Sequence, residues 1–260
     1  MIARILLAAA LLAGPALLSK PVMAADPKPE DTEQWKPEPP VVTPGPHVSL
    51  APPSDAIVLF DGKNLNEWAS TDKGGPAGWR VAGGVITVDK KTGNIETKRR
   101  FGNYQLHLEW RVPAKISGEG QGRGNSGLFL ASTGAGDGGY ELQILDSYKN
   151  GTYVNGMAGS IYKQRPPLAN AMRPPGQWQS YDVVWTAPVF GADGRVTSPA
   201  RVTAFHNGVL IQDNTVLTGE TAYIGPPRYK AHGKSPIKLQ SHGDPSEPIS
   251  FRNIWVRELP

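Results

Sequence analysis

Between residues 104 and 112 the chain alternates strictly between apolar and polar side chains. Tyr104, Leu106, Leu108, Trp110 and Val112 share one face, and Gln105, His107, Glu109 and Arg111 share the other. A period of two sustained over this length predicts a strand with one buried face. On the other face, His107 is expected to be solvated or hydrogen-bonded rather than catalytic. Shorter apolar or alternating runs at 57–60, 85–88, 126–130, 140–145, 181–185, 201–205, 209–211, 237–240 and 251–256 predict further strands. Asn207-Gly208 separates two of these runs, and this pair accepts the positive φ that a tight hairpin turn requires. No run carries the period of a long helix, and no internal repeat occurs. Roughly ten strands without helices predict two antiparallel sheets packed face to face. One sheet would keep a concave polar face for a ligand.

The flanking residues read differently. Arg4 precedes an apolar stretch over 5–18, and Val22-Met23-Ala24-Ala25 supplies small residues for cleavage. That is the layout of a secretory signal over residues 1–25. The apolar stretch is short for a membrane span, so no stable membrane insertion is expected after cleavage. A periplasmic location follows, with secretion as the alternative. Residues 26–54 hold nine prolines and no apolar period. They predict a disordered, partly polyproline tether that stays out of the core and serves as a spacer. The ordered domain is expected over 55–260.

Composition removes several function classes. Gly 30 and Pro 25 argue against a helical bundle. With Cys 0 there is no disulfide framework, thiolate zinc site, iron–sulfur cluster or cysteine nucleophile. The formal charge of +4 falls by two, to +2, once Arg4 and Lys20 are removed. A nearly neutral mature chain offers nothing to recruit nucleic acid.

The segment with most chemistry is 140–146. On a strand, Tyr140, Leu142 and Ile144 point one way and Glu141 and Gln143 the other. A bulge near Leu145 would bring Asp146 back to the Glu141 side, and two carboxyls beside an amide suit general acid/base work. An ordinary solvated sheet face fits the same pattern. Gly124-Asn125-Ser126-Gly127 permits close approach of a ligand or a neighbouring strand. His47 falls in the tether and is set aside, and His206 abuts the hairpin. His232 and His242 bracket the run at 237–240, at loop positions that commonly line clefts. A divalent metal held by His, Glu and Asp from separate strands is compatible with this, though no motif spacing calls for one. Tyr148, Tyr153 and Tyr162 lie near turns, where aromatic faces can stack on sugar rings.

Several motifs in order resemble one family. They are Leu59-Phe60-Asp61-Gly62-Lys63-Asn64-Leu65-Asn66-Glu67-Trp68, Asn125-Ser126-Gly127, and Gly139-Tyr140-Glu141-Leu142-Gln143-Ile144-Leu145-Asp146. After them come Gly159-Ser160-Ile161-Tyr162, Ile237-Lys238-Leu239-Gln240-Ser241-His242-Gly243 and Phe251-Arg252-Asn253-Ile254-Trp255-Val256-Arg257. Together they resemble the 3-keto-disaccharide hydrolases, also described as 3-keto-glycoside 1,2-lyases and 3-keto-2-hydroxy-glucal hydratases. The resemblance implies a concanavalin-like, all-β jelly-roll sandwich acting on oxidised sugars. Such chemistry needs a base at C2, for which Glu141 or His242 is the candidate, an enolate stabiliser (Arg252, His232 or a bound cation), and Asp146 to assist proton transfer. Gln143, Asn125, Arg252, His232 and Tyr162 would contact the carbohydrate. Retaining glucanases on similar sandwiches use Glu-x-Asp-x-x-Glu. Here Gln143 replaces the central acid and Asp146 the last, which argues against double displacement. A non-catalytic carbohydrate-binding module and a conventional glycoside hydrolase are the alternatives.

Overall fold

A computed structural model describes residues 26–260. The leader expected over 1–25 lies outside the described residues. Strands follow one another along the chain as β1 (Ile57–Phe60), β2 (Trp68–Ser70), β3 (Arg80–Ala82), β4 (Val85–Thr87), β5 (Ile95–Thr97), β6 (Tyr104–Arg111), β7 (Ser126–Ser132) and β8 (Gly139–Ile144). The second half contributes β9 (Gln179–Thr186), β10 (Val189–Phe190), β11 (Val196–Ser198), β12 (Arg201–His206), β13 (Val209–Val216), β14 (Lys238–Leu239) and β15 (Ser250–Glu258). Among the described residues no helix is long and apolar enough to cross a membrane.

Two antiparallel sheets carry the architecture. One runs β13-β12-β9-β6-β15-β4-β3, with β1 also paired to β15. The other runs β2-β5-β14-β7-β8. A register slip between Arg252 and Trp255, with Asn253 at φ 45, divides β15. Its first residues pair with β4 and its later ones with β1. The hairpin at Asn207-Gly208 forms as expected, with both residues at positive φ. This is an all-β jelly-roll sandwich.

The core lies between the sheets. Leu106, Leu108 and Trp110 of β6 meet Leu128 and Leu130 of β7 and Tyr140, Leu142 and Ile144 of β8 in one fully buried cluster. Two buried tyrosines bridge the layers by hydrogen bonds: Tyr104 Oη donates to Leu130 O, and Tyr181 Oη donates to Gln143 O. Both satisfy a hydroxyl that burial would otherwise leave unpaired.

One expectation is corrected here. Residues 26–54 are not a free tether but a strap laid across the sandwich. Val42 N donates to Asn170 O, Asn170 N to Pro40 O, and Arg173 Nη2 to Gly45 O. On the polar face of β6, His107 takes the hydrogen-bonded role, its Nδ1 2.7 Å from Asp182 Oδ1, and the strap covers Glu109. Ser49 Oγ and His47 Nε2 both reach the Glu109 carboxylate, which also accepts from Arg252 Nε at 2.7 Å. His107 and Glu109 are fully buried. Burial works against the His107 charge, but Asp182 and Glu109 outweigh it and raise its pKa to about 9. Burial likewise works to raise Glu109, and hydrogen bonds from His107, Asn253, Ser49 and Arg252 reverse it and hold the carboxyl far below its usual range. His47, set aside on sequence grounds, is thus one of the contacts that fasten the strap.

Because Leu108 is wholly buried between the sheets, Leu108→Ala is expected to cost about 2–5 kcal/mol of stability. Denaturant unfolding measures it, and a loss under 1 kcal/mol would show that the core does not close around this residue.

Candidate functional site

Strand β8 sets the site because it forms one edge of the smaller sheet. Its inward residues enter the core, so the pleat turns Glu141 and Gln143 to the opposite face. The free edge is covered by the chain from 153 to 165. Gln143 N donates to Ser160 O, Gly159 N to Gln143 O, and Tyr162 N to Glu141 O. At the same free edge, Glu141 N donates to Thr221 Oγ1 at 2.9 Å. These covers wall a cavity of about 670 Å³ over the outer face of the sheet. Its lining includes Glu141, Gln143, Asn125, Tyr162 and His242.

Glu141 lies deep in this cavity, 5% exposed. Gly127 of β7 makes room for it: a Cβ there would stand 2.5 Å from Glu141 Oε1. Burial pushes the Glu141 carboxyl well above its usual range, Asp137 adds to the rise, and the Lys238 charge opposes it without prevailing. Lys238 is itself spent on three carbonyls, donating to Gly134 O, Gly136 O and Gly138 O.

His242 follows β14, on the chain leaving the sheet. Its Nδ1 lies 3.1 Å from Asp244 Oδ2 and 3.1 Å from Asp244 N. Asp244 is buried, which works to raise its pKa, but hydrogen bonds from His242 and Ser246 together with the Lys90 charge leave it below its usual value. Asp244 thus holds the imidazole ring at Nδ1 from two sides, its N–H as a donor to that nitrogen and its carboxylate as an acceptor from it, according to the tautomer. Asp244 was not singled out in the sequence. The signal available was its spacing of two from His242.

Amides and phenols make up much of the remaining lining, with the carboxyls of Glu33 and Asp137 among them. Gln143 Nε2 donates to Gln121 Oε1 at 3.1 Å, and Asn125 Nδ2 donates to Gln121 O at 2.9 Å. The Tyr153 and Tyr162 hydroxyls are 2.7 Å apart. One must donate to the other, so the pair retains one O–H for a ligand. Burial raises both phenols, Tyr153 to about 12, so both stay protonated at neutral pH.

Three expected residues stand elsewhere. Asp146 is fully buried and forms an ion pair with Arg123 Nε at 2.8 Å, while Tyr148 N donates to its Oδ1. It does not line the cavity, so it is a structural acid behind the end of β8. Arg252 belongs to β15 in the other sheet, pairs with Glu109 and lies 4.1 Å from the Trp178 ring centroid. His232 lines a separate hollow of about 200 Å³ with Glu96 and Glu220, its Nε2 3.1 Å from Tyr140 Oη. The two histidines bracket an extended run that climbs about 3.3 Å per residue, which carries them to opposite ends of the sheet. Among the described residues no three His, Asp or Glu side chains gather as metal ligands. The His242–Asp244 pair supplies two donors, fewer than the three or four protein ligands of a zinc site.

The folded-state pKa of Glu141 is raised, so the unfolded chain releases that proton first and stability falls as pH climbs from about 4.5 toward the folded value. Glu141→Gln removes this loss. The melting temperature of Glu141→Gln relative to the unaltered protein should therefore rise across that window and be level below pH 4. A difference that does not vary with pH would show that Glu141 is charged at no cost.

Comparison with known proteins agrees with this architecture. A candidate glycosyl hydrolase of Parabacteroides distasonis with a solved structure is 55% identical, with TM-score 0.76 over 88% of this chain and 96% of that one. A second from the same organism, at 21% identity and TM-score 0.55, shares the fold over 79% of this chain and 94% of its own. The 3-keto-disaccharide hydrolase of Bacteroides thetaiotaomicron is 27% identical over 168 residues, covering 52% of this chain and 55% of that protein. The chain thus spans about half the length of that curated relative. Residues 55–257 match the 3-keto-alpha-glucoside-1,2-lyase-like domain, and the chain belongs to that family.

Proposed function

We propose that this protein cleaves the glycosidic bond of 3-keto-glycosides by elimination followed by hydration. The observation that carries the reading is the meeting of Glu141 and His242 in one cavity. One is a carboxyl raised by burial and the other an imidazole set by a carboxylate. Two titratable groups in contrasting environments suit opposite proton-transfer roles.

A ketone at C3 makes the C2 hydrogen acidic. In the tautomer whose Nδ1 proton goes to the Asp244 carboxylate, His242 offers the Nε2 lone pair to take that hydrogen. The C2–H electrons form an enolate whose oxygen accepts the free O–H of the Tyr153–Tyr162 pair. The enolate then collapses, making C1=C2 and breaking the C1–O bond. Glu141, kept protonated by burial, gives its proton to the departing oxygen. Hydration reverses the roles: water adds at C1, the Glu141 carboxylate takes its proton, and His242 returns a proton to C2. Both groups end as they began. Gln143 and Asn125, tied to Gln121, hold sugar hydroxyls in place. An acid or base placed in this way contributes about 10²–10⁴-fold, and a positioned donor to the enolate about 10²–10³-fold. The signal-like segment at 1–25 supports work outside the cytoplasm, in the periplasm or beyond.

Matched native and 3-keto disaccharides, followed by NMR in D₂O with and without chelator, test the reading. Cleavage of the keto sugar alone with deuterium entering C2 is expected. Glu141→Gln and His242→Ala should each lower kcat/KM by about 10²–10⁴-fold. Cleavage of the native sugar without exchange would indicate a conventional glycoside hydrolase. Retention of sugar without cleavage would indicate a binding module.

A further inference from the structure

The strap over residues 26–54 precedes the matched family domain, which begins at 55, yet its first residues reach the cavity. Asn155, fully buried, grips it twice: its Oδ1 accepts from Gln34 N and its Nδ2 donates to Thr32 O, both at 2.9 Å. Val154 N donates to Gln34 O at 2.6 Å. Between those anchors Glu33 lines the cavity. Trp35 comes next, its ring edge-on to Tyr153 with centroids 6.1 Å apart.

A second element is fastened to the same point. The Lys163 ammonium donates to Pro29 O at 2.6 Å on the strap and to Tyr223 O at 2.9 Å on the facing loop. Lys163 is buried, and the Tyr223 ring lies 4.6 Å from its Nζ. Tyr223 also lines the cavity. A single cation therefore ties both walls together. Yet the aromatic groups at this rim remain open to solvent, Trp35 at 58% and Tyr223 at 62%. Two large aromatic groups thus stand exposed at the rim of the cavity, where the apolar face of a ligand can cover them.

We propose that Trp35 and Glu33 of the strap form a subsite for the second sugar ring, on the leaving-group side of the bond that is broken. This rests on the reading of the protein as an enzyme of 3-keto-glycosides. A pyranose presents an apolar face to Trp35 and hydroxyl donors to the Glu33 carboxylate. A flat aryl leaving group would use the ring but leave the carboxylate unpaired, so the pairing of indole with carboxylate selects a disaccharide. Lys163 is a positioning residue that sets the spacing of the two walls.

The test uses the full chain and two substrates, a 3-keto disaccharide and methyl 3-keto-glucoside, with unaltered protein, Trp35→Ala, Glu33→Gln and a Val48→Ala control. Val48 is on the strap, 67% exposed and outside the cavity lining. The preference in KM for the disaccharide over the methyl glycoside is expected to fall roughly three- to tenfold in Trp35→Ala, to fall in Glu33→Gln, and to hold in the control. An unchanged preference in both strap variants would overturn the subsite while leaving the reaction intact. Should the unaltered protein turn over neither sugar, the reaction is overturned and the subsite is judged by calorimetry with the unoxidised disaccharide and methyl glucoside. A disaccharide preference lost in Trp35→Ala then upholds it, and equal affinities or no binding overturn it.

Discussion

Tyr140, Leu142 and Ile144 can be buried between the sheets only if the alternate residues of the same strand face outward. That pleat geometry leaves Glu141 and Gln143 on the outer face of the smaller sheet. Because β8 is an edge strand, its spare backbone groups must be paired by something. The chain from 153 to 165 does so, and in pairing the edge it also builds a wall. The cavity is a consequence of completing an exposed sheet edge.

Enclosure then sets the electrostatics. A carboxyl at the bottom of such a cavity loses hydration that no neighbour restores, since the nearby ammonium of Lys238 is committed to backbone carbonyls. The proton is retained instead. At the rim, His242 keeps access to solvent and a carboxylate partner. The two groups differ in surroundings because they differ in depth.

The strap adds a dependence between distant parts of the molecule. On the larger sheet it caps the Glu109 network through His47 and Ser49. Over the smaller one it is held by Asn155 and Lys163. Its Pro-rich composition suits this role, since proline lowers the entropy lost when an extended segment docks. The same composition made it read as a spacer, because extended proline segments look alike whether or not a surface lies beneath them.

Local alternation determined a great deal about this protein. It placed β6, β7, β8 and β15, separated core from polar faces, and set Glu141 and Gln143 on one face, because side-chain direction in a strand follows from sequence position alone; Asn125 entered only through the family resemblance. The turn at Asn207-Gly208 was legible for a similar reason, its φ values being a property of those two residues. Tertiary packing alone decided which candidates meet. His242 and His232 looked equivalent beside one strand, and only pairing with β7 and β5 assigned one end to the cavity and the other to a separate hollow. Asp146 and Arg252 carried suitable chemistry, but Arg123 and Glu109 claimed them elsewhere. Contacts between residues far apart in the chain are set by sheet order and register, and no local pattern encodes those.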